Sequence, residues 1–90
     1  MSAFLVTYDL VGTDATSANY KNLIAEIQRT AWGHVQDSVW IVVTDESAKQ
    51  VFDRLWRHMH PRDRLFVLLS GRQAAWENAI CADSWLHTNL

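Results

Sequence analysis

The sequence predicts an α+β domain in which a four-stranded antiparallel sheet carries two helices on one face. Three observations predict it. Runs of β-branched and aromatic residues without helical period occupy 3–9, 38–44 and 64–70. Between them lie two stretches with apolar residues at helical spacing, Tyr20, Leu23, Ile24 and Ile27, then Ala48, Val51, Phe52, Leu55 and Met59. With a short strand around His34–Gln36, the order is strand, helix, strand, strand, helix, strand.

Each element follows from its residues. Residues 3–9 make a strand that ends at Tyr8-Asp9, and 12–16 make a turn. Thr16 or Ser17 can cap the first helix, and Gly33 breaks it. The run 38–44, Ser-Val-Trp-Ile-Val-Val-Thr, is the clearest strand, and Thr44 or Asp45 caps the second helix. Pro61 disfavours helical geometry at His60, so that helix ends there. Residues 64–70 form the last core strand, ended by Gly71. The core is 1–70 and the tail 71–90, in which 83–86 can start a short helix. Two βαβ units with right-handed crossovers give a ferredoxin-like βαββαβ sandwich.

Strand alternation has a consequence for assembly. Trp40 and Val42 share one face of their strand, and Phe66 and Leu68 share one face of theirs. Both faces of the sheet are apolar, and the helices cover only one. We therefore expect an exposed patch containing Trp40, Phe66 and Leu68, covered by a second subunit in a homodimer. The alternative is that the Trp-bearing tail folds back over it.

The chain has 90 residues, 49% of them hydrophobic, with five Trp. A domain this small buries a little over about 60% of its unfolded surface, so a dense core or a partner is needed. Cys81 is the sole cysteine, which excludes an internal disulfide and fits a reducing compartment. No apolar run approaches the roughly 20 residues that span a bilayer, and the start has no signal-peptide pattern. A cytoplasmic protein without a membrane partner is expected. The formal net charge of −2 argues against a strongly basic nucleic-acid binder. Even so, Arg54, Arg57, Arg62, Arg64 and Arg72 cluster in the second half. Arg54 and Arg57 either sit at a helix C-terminus, favoured by its dipole, or join Arg62 and Arg64 in a phosphate-facing patch.

Two segments carry a resemblance. "TYDL" at 7–10 resembles the strand-end Tyr-Asp motif of Cas2, the small dimeric CRISPR-associated proteins. "WGHVQDSVWIV" at 32–42 resembles that family's aromatic-Gly-x-x-Val-Gln-x-Ser-Val-aromatic segment, through Trp32, Gly33, Val35, Gln36, Ser38, Val39 and Trp40. "DRLFVLL" at 63–69 occupies the place of the last core strand. The resemblance covers about residues 3–70. VapD-type ribonucleases and small stand-alone Cas2-like proteins share the fold, and the tail with Trp76 and "SWLHTNL" looks more like the stand-alone relatives. Where Cas2 proteins carry several arginines at the start of the first helix, this chain has Ser17, Ala18, Asn19, Tyr20 and Lys21.

The resemblance implies a homodimer acting on RNA or DNA, with two Asp9 side chains meeting across the two-fold axis around Mg²⁺ or Mn²⁺. Asp9 would then be the metal ligand and catalytic residue of an endonuclease or endoribonuclease. Asp9 can equally accept backbone N–H bonds in the turn before Gly12. Gln36 and Ser38 can cap the turn between strands. His58 and His60, two apart at a helix end, do not make a metal pair. The competing expectation is a non-catalytic dimeric adaptor that uses its tail for a protein partner.

Overall fold

A continuous apolar run makes β1 (Ser2–Asp9) the strand around which the sheet is built, with alternate residues Phe4, Val6 and Tyr8 buried. The computed structural model describes residues 1–71 and 73–90; Arg72 lies outside the described residues. After a turn, Ser17 caps α1 (Ala18–Ile27) by accepting the Tyr20 amide at 3.2 Å, which satisfies a free N–H of the first turn. Leu23 and Ile27, four residues apart, form its buried face. Next come β2 (Ala31–Gln36) and β3 (Val39–Thr44). The second helix, α2 (Ala48–Trp56), starts later than the expected Thr44 or Asp45 cap. Ser47 and Gln50 form a capping box there, each side chain bonding the other's backbone N–H. β4 (Arg64–Leu69) follows, and α3 (Asp83–Asn89) is the terminal helix expected in the tail.

The four strands form an antiparallel sheet in the order β2-β3-β1-β4. Phe4, Val6, Tyr8, Trp40 and Val42 meet Leu23 and Ile27 of α1 and Val51 and Leu55 of α2 in one cluster. Both α1 and α2 therefore lie on the same face of the sheet, as expected.

The expected face of Trp40 is corrected. The pairing registers place Trp40 opposite Val6, and Val6 opposite Val67. Directly paired residues share a face, so Trp40 belongs with Leu65 and Val67, under the helices, and not with Phe66 and Leu68. It is 4% exposed and donates its indole N–H to the Tyr8 hydroxyl at 3.3 Å. The His34 ring stacks on it at 4.0 Å. The split of each strand into two faces was right. The matching of faces between strands was reversed.

The tail turns back onto the second face. The amides of Ile80 and Cys81 donate to the carbonyls of Val35 and His34 at 3.0 and 2.8 Å, covering the open edge of β2. Trp85 of α3 then packs on Gly33, where a Cβ would fall 2.5 Å from the indole ring. Gly33 pairs with Ile41, which is buried on this face, and Leu86, next to Trp85 in α3, is buried as well. The tail thus covers the β2–β3 half. On the β1–β4 half Phe66 and Leu68 remain 57% and 50% exposed.

Among the described residues, no helix is long and apolar enough to cross a membrane.

Candidate functional site

The C-terminal end of β1 and the N-terminal end of β4 meet at the Asp9–Arg64 pair. Both side chains are exposed, with Arg64 Nη1 3.8 Å from Asp9 Oδ2. Alternation puts Asp9 and Arg64 on the second face, in line with Phe66 and Leu68. Four of the eight expected site residues therefore share one strip of surface, and the exposed Arg62 stands two residues before Arg64.

Asp9 also borders a concavity of about 330 Å³ with Tyr8, Tyr20, Asp37 and Ser38. Ser38 reaches this end because its carbonyl accepts the Tyr8 amide at 3.2 Å. Burial pushes the Tyr8 hydroxyl up to about 12, so it stays protonated at neutral pH. It lines this concavity, and its hydroxyl accepts the Trp40 indole N–H.

Two other expected site residues lie elsewhere. Arg54 is 4% exposed. Its Nε donates to both carboxylate oxygens of Glu46, at 3.0 and 3.1 Å, and its Nη1 donates to the Glu26 carbonyl. The guanidinium ties the end of α1 to the β3–α2 loop and is not available to a phosphate. The expectation that it contributes to a nucleic-acid patch is corrected. Arg57 is exposed, but it lines a mixed-charge depression with Arg29, Glu46 and Asp53.

Asp63, which the sequence did not single out, is the most heavily hydrogen-bonded side chain near the site. It is 6% exposed. Its Oδ1 accepts the amides of Val11, Gly12 and Thr13 at 2.8, 2.8 and 3.1 Å. Its Oδ2 accepts the His60 amide at 2.8 Å and the Thr13 hydroxyl. Burial alone would raise its pKa. The Thr13 hydroxyl and the Gly12, His60 and Thr13 amides outweigh that and hold the carboxyl well below the usual carboxylate range. An Asp closing a Pro-Arg-Asp turn before a strand is a local signal for turn capping. Four of its five bonds, however, go to residues about fifty positions away, and no local pattern reveals those.

As to metal, Mg²⁺ keeps several waters and needs only one or two carboxylates. One chain offers Asp9, exposed at a strand end, with Asp37 on the same concavity. Arg64 competes for Asp9. Among the described residues, no three His, Cys, Asp or Glu side chains gather to hold an ion. The donor set suits a largely hydrated hard cation and not a closed protein cage.

No family model matches the chain, and no solved structure matches it.

Proposed function

We propose that this chain is one subunit of a cytoplasmic Cas2/VapD-like homodimer of ferredoxin-like fold that associates with RNA or DNA, and that its chemistry, where it has any, is metal-dependent phosphodiester hydrolysis at Asp9. The strand order, read from the other edge as 4-1-3-2, supports the ferredoxin-like assignment. The observation that carries the functional reading is the Asp9–Arg64 pair, solvent-exposed in line with Phe66 and Leu68. A second copy docked on that apolar strip would bring two Asp9 carboxylates toward one axis. Asp9 would hold Mg²⁺ or Mn²⁺, which polarises a phosphodiester or lowers the pKa of an attacking water. Arg64 and Arg62 would meet the phosphate backbone.

The test is a cleavage assay on short RNA and DNA, with and without Mg²⁺ or Mn²⁺, comparing wild type with Asp9→Ala. Metal-dependent cleavage that Asp9→Ala abolishes supports the reading. Cleavage that survives Asp9→Ala removes Asp9 from it, and a monomer at micromolar concentration in sedimentation removes the dimer.

A second reading is a non-catalytic dimeric adaptor. It is favoured by the use of Arg54 inside the fold and by the net charge of −2, which leave few free cations for phosphates. An intact dimer that binds no metal and cleaves nothing would leave this reading ahead.

A further inference from the structure

Asp63 joins the two loops that flank the Asp9–Arg64 pair. It lies immediately before Arg64 on one chain segment, and its Oδ1 holds the amides of Val11, Gly12 and Thr13, which begin two residues after Asp9. Three successive N–H groups converge on one carboxylate oxygen, an anion-receiving nest filled by the protein's own side chain. The second oxygen closes the turn from the other side through the His60 amide and the Thr13 hydroxyl. The two loops also touch directly. A Cβ at Gly12 would lie 2.2 Å from His60 Nδ1 and 2.8 Å from His60 Cβ, so only glycine permits this approach.

Asp9 itself is held by much less. It is exposed, and its one ionic neighbour among the described residues, Arg64, stands at 3.8 Å. Beyond Asp9 the chain leaves the sheet, and the next firm attachment of its backbone is to Asp63. We propose that Asp63 is a positioning residue, a clasp that locks the β1–α1 loop onto the α2–β4 loop and so fixes the direction in which Asp9 and Arg64 present their charges. The link to metal rests on the reading of Asp9 given above; the clasp itself does not.

The geometry says which variants separate clasp from bulk. Asp63→Asn is nearly isosteric. Its carbonyl oxygen can still accept the three amides, but its NH₂ then faces the His60 N–H, donor against donor. Thr13→Val removes the hydroxyl bond to Oδ2, together with the 3.2 Å acceptor that the hydroxyl offers the His60 amide, and leaves the carboxylate in place.

The experiment has two arms, run on wild type, Asp63→Asn and Thr13→Val. In the first, amide exchange at Val11, Gly12 and Thr13 and the cross-strand proton contacts of Asp9 with Arg64 are read by NMR, with the Thr7–Phe66 contacts as control. Expected are exchange about tenfold faster or more in Asp63→Asn, the loss of one such bond, and weakened Asp9–Arg64 contacts with the control unchanged. Thr13→Val should give a smaller effect of the same kind, and it serves alone if Asp63→Asn does not fold. Unchanged exchange overturns the clasp, and unchanged Asp9–Arg64 contacts overturn the positioning role. In the second arm, the stabilisation by Mn²⁺ that depends on Asp9 is compared. It should shrink several-fold in Asp63→Asn. If wild type gains no stability from Mn²⁺, the metal reading fails while the first arm still decides the clasp.

Discussion

Gly33 and Trp85 fit together as socket and plug. The indole ring lies where the first side-chain carbon of any other residue at 33 would stand, 2.5 Å from Trp85 Cζ3. The contact joins a residue of the edge strand to a helix more than fifty positions later. It is the point at which the tail becomes part of the fold. The glycine expected to break the first helix lies inside β2, several residues past the end of α1, and its function is this close approach.

Gly33→Ala should therefore unseat α3. Overfilling a packed site costs about 1–3 kcal/mol, and here the loss should come with faster amide exchange at Ile80 and Cys81, whose bonds hold the tail to β2. A variant with wild-type exchange at those two amides would mean that the tail does not depend on this socket.

Trp40→Ala and Phe66→Ala should now behave differently. Trp40 is inside the core, so its truncation should cost about 3–5 kcal/mol whatever the state of association. Phe66 is more than half exposed in the single chain. Its truncation should leave the stability of dilute protein within about 1 kcal/mol and act on self-association alone. Urea unfolding at two protein concentrations, with sedimentation, separates the two. A large loss for Phe66→Ala in dilute protein would place that side chain in the folding core.

The contrast shows where the sequence is legible. Helical spacing located α1 and α2, because period 3.6 is written into neighbouring residues. Alternation likewise divided β3 and β4 into two faces. Which face of one strand matches which face of the next depends on register, a long-range property set by packing. Trp40 went to the wrong side for that reason. Asp9 was legible as a candidate because it stands where an apolar run stops. Asp63 was not, since its partners other than His60 are about fifty residues away. Arg54 lies three residues after Val51 and so joins the inward side of α2. Its charge suggested solvent, but two carboxylates and a carbonyl receive it there.

Arg54→Ala should be among the most damaging charge removals in this protein, at about 3 kcal/mol, because Glu26 and Glu46 lose their buried cation and keep only the exposed Arg29. The double change Arg62→Ala, Arg64→Ala should stay within about 0.5 kcal/mol per site, since both are exposed. In the proposed nucleic-acid binding the order should reverse. The Arg62/Arg64 pair should lower the salt slope by about one unit per lost phosphate contact. Equal stability losses for both sets would show that Arg54 is not the internal strut described.

At alkaline pH, Tyr8 should set a limb of the stability profile. Burial raises its hydroxyl from the ordinary 10.0 to about 12. Its contribution is complete below pH 10 and is lost as pH rises through about 12, because the unfolded chain ionises first. The slope is about 1.4 kcal/mol per pH unit across that window. Tyr8→Phe removes this limb and also leaves the Trp40 N–H without its acceptor. The variant should therefore be less stable at pH 7 by about 1–3 kcal/mol, yet approach wild type by pH 12. Parallel profiles from pH 9 to 12 would contradict the assignment.

At acid pH the controlling group should be Asp63. Its folded-state pKa is depressed, since five donors stabilise the carboxylate against the cost of burying it. The stability it supplies is thus present above the unfolded value of about 3.9 and is lost as pH falls below that toward the folded value. Asp63→Asn cannot ionise. It should be less stable than wild type at pH 7, and the gap should narrow steadily from about pH 4 downward as the wild-type carboxylate is protonated and loses its clasp. Asp14 separates this from a general acid effect. Its pKa is also lowered, by the Thr16 amide and then the Thr16 hydroxyl, but it is fully exposed and bonds only within its own turn. Asp14→Asn should not reproduce the narrowing gap. Urea midpoints of wild type and both variants at pH 7, 4 and 2.5 make the comparison. A gap for Asp63→Asn that stays constant down to pH 2.5 would mean that the charge on Asp63 adds nothing to the clasp, and that its shape alone fills the nest.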